Sequence, residues 1–230
     1  MEKLSTFINK LFEVLLGVCV MNNKRYFYRF MKRFLDIIIS IFGILLLIPV
    51  SLGIWIANLV TKDNGPIFFK NKRIGLNGET IYIYKYRSMC MNAEQKLEEL
   101  MASDPKIKEE YLTNKKLEND PRITKVGKFI RKTSIDELPQ FINVFLGSMS
   151  VVGPRPYLPR EKDDMGYHYD NIIKVKPGVT GFWQVNGRSD TSFRERCEMD
   201  SHYVAKRSLW MDVKIFFKTI WVVIAGKGAK

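Results

Sequence analysis

The sequence predicts a mainly helical α+β protein, monotopic in a membrane. It would have one re-entrant membrane helix, a small β-hairpin and interfacial amphipathic helices around a cytoplasmic domain. Three observations lead there. Ile37 to Val60 carries no charge, a run long enough to reach across a bilayer. Basic residues flank both ends of that run and Pro49 interrupts it, so both ends favour the same cytoplasmic side. Asn77-Gly78 joins two stretches of β-type alternation, a strong hairpin signal.

The 230 residues suit one globular domain with anchoring segments. The expected division is 1–23, a segment of no assigned role; 24–61, a basic and aromatic anchor with the membrane helix; and 62–230, the cytoplasmic domain. A net charge of +13 calls for an anionic partner: nucleic acid, anionic lipid or a phosphorylated substrate. Cys19, Cys90 and Cys197 are too scattered for a disulfide framework or metal spacing, and His168 and His202 add no zinc pattern.

In the first segment, the apolar run Leu11 to Val20 is broken by Glu13 and lacks a small-x-small cleavage site, so a signal peptide is not expected; Met21 could serve as an alternative start. Residues 24–33 interleave Lys24, Arg25, Arg29, Lys32 and Arg33 with Tyr26, Phe27, Tyr28 and Phe30. Beside an apolar run this reads as an interfacial anchor on anionic lipid rather than a nucleic-acid surface. Pro49 is the expected break of the re-entrant helix, and Asp36 needs a partner such as Lys32 or Arg33.

Strands are expected around Ile67-Phe68-Phe69 and around Ile81 to Tyr86, with Arg73, Lys85 and Arg87 projecting from them. Residues 91–120 read as a surface helix, then a variable loop over 104–120. Residues 177–188 are glycine-rich but match neither a P-loop nor a dinucleotide fingerprint. Residues 192–207 read as a charged helix, and Ile215 to Ala225 as an interfacial or core helix too short to span.

Arg131 to Pro156 is the stretch that carries chemistry. Ser134 and Glu137 form S-x-x-E, the capping-box pattern, and Leu138, Phe141, Ile142 and Phe145 follow at helical spacing up to Gly147. Asp136 and Glu137 then lie in a first helical turn, where the dipole favours ionised carboxylates. Arg122, Lys125, Lys128, Arg131 and Lys132 precede them and Arg155 follows, held between Pro154 and Pro156. Adjacent acids are ordinary capping chemistry, but with this cationic frame they also suit a divalent cation and a phosphorylated substrate. They sit too close in sequence to flank a glycosidic bond as a hydrolase requires.

The segment D-P-R-I-T-K-V-G-K-F-I-R-K-T-S-I-D-E-L-P-Q-F-I-N-V-F-L-G-S-M-S-V-V-G-P-R-P resembles the signature of the bacterial sugar transferases, the monotopic polyprenol-phosphate phosphoglycosyl transferases. The resemblance extends to F-F-K-N-K-R-I-G, Y-K-Y-R-S-M, P-G-V-T-G-F-W-Q-V-N-G-R and S-L-W-M-D-V-K-I-F-F-K-T-I-W-V-V-I-A-G-K-G-A, and covers roughly residues 30–229. Y-L-P-R-E at 157–161 is similar to the galactose-1-phosphate-transferring members. The resemblance implies transfer of a sugar-1-phosphate from a UDP-sugar to undecaprenyl phosphate, with release of UMP and Asp136 as nucleophile. It implies Mg²⁺ held by Glu137, and substrate contacts from Arg131, Arg155, Lys85, Arg87, Arg73 and Arg188. It places the protein at the bacterial plasma membrane with its catalytic domain on the cytoplasmic face, serving exopolysaccharide, capsule or O-antigen assembly. Glucose or an N-acetylhexosamine is the alternative sugar, a homo-oligomer is allowed, and no nucleic acid is expected. A non-catalytic basic membrane scaffold is the alternative of another class.

Overall fold

The computed structural model describes residues 23–63, 65–114, 117–187 and 191–225, and is mainly helical. Residues 1–22 and Arg188 lie outside the described residues, so neither the reading of the N-terminal segment nor the contact assigned to Arg188 is addressed.

Helix α1 (Asn23–Val60) is 38 residues long, about 57 Å at the α-helical rise. It is the one helix among the described residues long and apolar enough to cross a membrane. Where the sequence suggests two helical segments about Pro49, α1 runs through the proline as one helix. Pro49 lies on the exposed face, so the lost backbone donor leaves a gap on the outer side and none against the domain.

The inner face of α1 is a single stripe. Asp36, Ser40, Gly43, Leu47, Ile54 and Asn58 are buried and Ser51 half-buried, at helical spacing. Phe141 packs so closely over Gly43 that a Cβ there would meet its ring. The outer face leaves Phe34, Phe42, Leu45, Leu46, Ile48, Leu52, Trp55 and Leu59 exposed. Both ends of α1 are tied to the rest of the molecule. Lys32 pairs with Asp212 at 2.9 Å and Arg33 donates to the carbonyls of Val144 and Phe145. Beyond the other end, Asp63 pairs with Arg87 at 2.8 Å. Asp36 does find partners: the Val151 N–H at 2.8 Å and the Ser150 hydroxyl at 3.1 Å donate to it, and the expected cations, Lys32 and Arg33, act on it through space.

Strands β1 (Phe68–Ile74) and β2 (Thr80–Tyr86) form the expected antiparallel hairpin, with Ile74 opposite Thr80. Asn77 and Gly78 both take positive φ, the conformation these residues tolerate best. Ile83 points into the core, and Tyr86 reaches α1 to share a hydrogen bond with Ser51 at 2.7 Å. The surface helix is α2 (Ala93–Ser103). The loop expected after it is instead largely a second helix, α3 (Pro105–Asn114). Asp104 accepts from the Lys106 N–H and Pro105 opens the helix, a start signal that mixed charge obscured.

Helix α4 (Lys125–Lys132) is capped by Thr124, and helix α5 (Gln140–Leu146) ends at Gly147 with φ 87°. β3 (Ser150–Val152) pairs in parallel with β4 (Gly178–Thr180), a contact the glycine-rich reading of 177–188 had not resolved into a strand. Gly153 and Gly178 approach so closely that a Cβ on either would strike the other segment's backbone, which gives those glycines a packing role. Two short helices, α6 (Tyr169–Ile172) and α7 (Phe182–Asn186), precede α8 (Phe193–Lys206), whose Ser192–Glu195 capping box is complete. α9 (Leu209–Ile224) begins earlier than its apolar run suggests, at the Ser208 cap. The main core gathers Ile83, Val144, Val151, Val152, Val185, Tyr203, Val204 and Ile215 from six of these elements, with Met149 from the turn before β3.

Candidate active site

The acid pair occupies a 3-10 turn, Ile135–Glu137, between α4 and α5. The capping box does not form. Ser134 is left-handed (φ 57°) and its side chain caps nothing, while α5 starts only after Pro139. Pro139 has no N–H to donate back to Ile135, so the bond that would join the acids' turn to α5 is missing. A left-handed serine costs about 1–2 kcal/mol, and this bend sets the direction in which the acids project.

Two elements bring cations to them. Lys85 of β2 donates to Glu137 Oε1 at 2.9 Å and lies 3.4 Å from Asp136 Oδ2, so one ammonium bridges both carboxylates. Arg131, at the end of α4, is fixed by its Nε bond to Ser88 Oγ at 2.9 Å. Burial pushes the Asp136 carboxyl above its ordinary value; Glu137 adds to the rise, and Lys85 and Arg131 oppose it. The expectation that a helix N-terminus holds Asp136 ionised therefore gives way. The acids stand outside α5, and the opposing field comes from Lys85 and Arg131. Burial alone would lower the Lys85 ammonium, yet Glu137 and Asp136 outweigh it and the net shift is upward.

A second cluster adjoins the first. Arg73 of β1 donates to the Pro156 carbonyl at 3.2 Å, while its buried Nε has no partner among the described residues. Burial, then repulsion by Arg155, lowers Arg73 to about 10; Glu161 and Glu137 act in the opposite sense. Arg155 lies 5.5 Å over the Tyr157 ring and 3.5 Å from Glu161, with Nη1 buried and unpartnered. Its backbone N–H and the Tyr157 hydroxyl both donate to Asp200 Oδ2 at 2.9 Å. Glu161 also accepts from the Leu158 N–H at 2.7 Å. Two buried acids thus hold the Arg155 loop from behind.

Of the residues singled out from sequence, Asp136, Glu137, Lys85 and Arg131 converge, and Arg73 and Arg155 form the adjoining cluster. Arg87 is directed elsewhere: it is buried, and its guanidinium binds Asp63 and the carbonyls of Pro66 and Met89. Arg122 is occupied by Asp120 at 2.6 Å. Asp200 and Glu161 escaped the sequence reading, although both left a trace. Asp200 falls on the buried stripe Phe193, Cys197, Asp200, Val204 of an otherwise charged helix, an anomaly for an acid. Pro159 and Glu161 stand where a helix-opening proline and a capping acid belong.

No group of three or more metal-ligating side chains occurs among the described residues. The pair Asp136–Glu137 nevertheless suits Mg²⁺, which commonly takes one or two carboxylates and completes its shell with substrate phosphate oxygens and water.

The profile described as bacterial sugar transferase matches residues 27–226. The chain belongs to the bacterial sugar transferase family. It is 46% identical over 201 residues to the undecaprenyl-phosphate galactose phosphotransferase of Salmonella typhimurium, covering 87% of this chain and 42% of that one. It is 41% identical over 199 residues to the exopolysaccharide production protein ExoY of Sinorhizobium fredii, covering 86% of this chain and 87% of that one. It is 38% identical over 209 residues to the UDP-glucose:undecaprenyl-phosphate glucose-1-phosphate transferase of Escherichia coli, covering 87% and 42%. The chain thus spans less than half the length of the first and third of these relatives. The acid pair, Lys85 and the arginine cluster all lie inside the span matched by the family.

Proposed function

We propose that this protein transfers a sugar-1-phosphate, galactose-1-phosphate by first choice, from a UDP-sugar to undecaprenyl phosphate and releases UMP. One observation carries the reading: a half-buried acid pair bridged by a single lysine adjoins two arginines, each with a buried nitrogen that has no partner among the described residues. Galactose rests on the resemblance at 157–161 and on the name of the Salmonella relative. The name of the Escherichia coli relative supports glucose as the second choice.

In the first step an oxygen of the Asp136 carboxylate forms a bond to the β-phosphorus of the UDP-sugar. The bond from that phosphorus to the bridging oxygen breaks, and UMP leaves with the electron pair. In the second step a phosphate oxygen of undecaprenyl phosphate attacks the acyl-phosphate, the bond to Asp136 breaks, and the carboxylate is restored. Covalent catalysis divides one difficult transfer into two. Lys85 and Arg131 favour the Asp136 carboxylate against its burial. Arg73 and Arg155 neutralise charge on the diphosphate. Mg²⁺ at Glu137 would supply a further counter-charge to the phosphate oxygens.

A re-entrant placement of α1, with the catalytic domain on the cytoplasmic face, fits this chemistry, because undecaprenyl phosphate keeps its chain in the bilayer and its phosphate at the surface. The support is physical. A helix bound along one stripe to a charged domain and tied to it at both ends cannot leave that domain to cross alone. Its exposed outer face is the part that lipid would cover.

The test is nucleotide release. Protein in nanodiscs with Mg²⁺ and undecaprenyl phosphate is given UDP-galactose, UDP-glucose or UDP-N-acetylglucosamine in turn. UMP from UDP-galactose is the expected result. Release of UDP would mean ordinary glycosyl transfer, and would remove Asp136 from its role.

A further inference from the structure

Between α1 and α9 lies a cavity of about 190 Å³ that the acid-pair chemistry does not use. Its walls include Leu35 and Ile39 of α1, Val152 of β3, and Val213, Phe216 and Phe217 of α9. The polar groups at its edge are already occupied. Lys32 pairs with Asp212 and donates to the Val152 carbonyl at 2.8 Å, and Asp36 accepts from Val151 and Ser150. What remains is hydrocarbon surface. An apolar cavity of roughly this size excludes water and takes up an apolar guest.

Position indicates which guest. Phe217 is both a wall of the cavity and 64% exposed, and Phe34, Ile38, Trp210 and Trp221 are exposed on the same two helices. The mouth is therefore framed by the apolar surface that lipid would cover. On the inner side, Val151 and Val152 belong to β3, which runs directly into Gly153, Pro154 and Arg155. A chain seated here has one end among lipid tails and the other a few residues from the arginine cluster.

We propose that this cavity receives the isoprenoid segment nearest the phosphate of the polyprenyl acceptor, so that the phosphate is presented towards Arg155. The proposal rests on the transferase reading, because an acceptor with a hydrocarbon chain and a terminal phosphate is what connects a lipid-side cavity to an arginine cluster. An ordinary phospholipid acyl chain would fill the same walls but gains nothing from Arg155.

The experiment uses the full chain in nanodiscs and a polyprenyl phosphate carrying a diazirine on the isoprene next to the phosphate. After photolysis, adducts are mapped by mass spectrometry. The expected result is labelling within 35–39 and 213–217, displaced by undecaprenyl phosphate and not by phosphatidylglycerol. Val213→Trp, which fills the cavity, should reduce labelling and raise the KM for undecaprenyl phosphate, each by about tenfold, equivalent to about 1.4 kcal/mol. Val213→Ala, which widens the cavity, should keep the label and guards against a folding defect in the larger variant. Equal displacement by phosphatidylglycerol, or undiminished labelling of a folded Val213→Trp protein, would overturn the proposal. If the wild type released no UMP, the transferase reading would fall, while the labelling would still report whether the cavity holds a polyprenyl chain.

Discussion

The acid corner and the arginine corner of the site adjoin each other, and they handle charge in opposite ways. At Asp136 and Glu137 two carboxylates share one lysine, with Arg131 behind them. At Arg73 and Arg155 two guanidiniums repel each other, and a nitrogen of each is buried without a partner among the described residues. Each arrangement carries a free-energy cost. A donor diphosphate held by a divalent cation on the acid side and by arginines on the other side would relieve both at once. The comparison also separates residues that meet substrate from residues that hold the frame, since Arg87 and Arg122 are spent on internal acids.

The sharpest way to break this comparison is Asp136→Asn. UMP formation should fall by about 10³-fold or more, as expected when a nucleophile is removed; a retained rate would dismiss the acid corner. Next is Arg155→Ala, which takes a donor from a developing charge and should lower kcat/KM for the UDP-sugar by about 10²-fold. A loss confined to the undecaprenyl phosphate KM would move Arg155 from the donor to the acceptor.

Lys85→Gln addresses the electrostatics of the acid corner directly. In the proposed mechanism Asp136 acts as the carboxylate, so activity should be lost as pH falls through its pKa, which burial lifts above the ordinary carboxyl value. Lys85 is the main opposing influence, so its removal should move the acid limb of the kcat/KM profile to higher pH. An unmoved limb would mean that Asp136 does not control it.

Asp200→Asn tests the support of the arginine corner. Burial raises the Asp200 carboxyl to about 7, against 3.8 in a free chain. The folded form therefore holds a proton that the unfolded chain releases, and this contribution to stability is full below about pH 4 and lost as pH rises through 7. The variant should flatten that slope in a denaturation series, and raise the donor KM by roughly tenfold as the Arg155 loop loosens. The smallest catalytic effect is expected from Arg87→Met. Breaking its buried pair with Asp63 should cost stability by about 2–3 kcal/mol, read as a lower Tm, with the donor KM unchanged. A raised KM would return Arg87 to the substrate.

How much of this was legible beforehand differs by element. Local signals held where one residue dictates geometry: Asn77-Gly78 made its turn and Gly147 ended its helix. They failed where two signals competed. S-x-x-E at 134–137 argued for a cap, but Pro139 cut the ladder and left the acids in a separate turn. Among charged helices, Asp104-Pro105 was passed over as loop, although it opens α3.

The adjacency of Asp136 and Glu137, the uncharged run from Ile37 to Val60 and the family signature are properties of the chain order, and they could be read without coordinates. Their partners could not. Lys85 is 51 residues from Asp136, Asp200 is 45 from Arg155, and Asp212 is 180 from Lys32. Such pairings are chosen by the packing of β2 on the acid turn, of α8 behind the Arg155 loop and of α1 along the domain. Hydrophobic burial drives that packing without specifying which polar groups meet. The groups carried inside must then find one another, because a buried charge left alone costs more than the fold can spare.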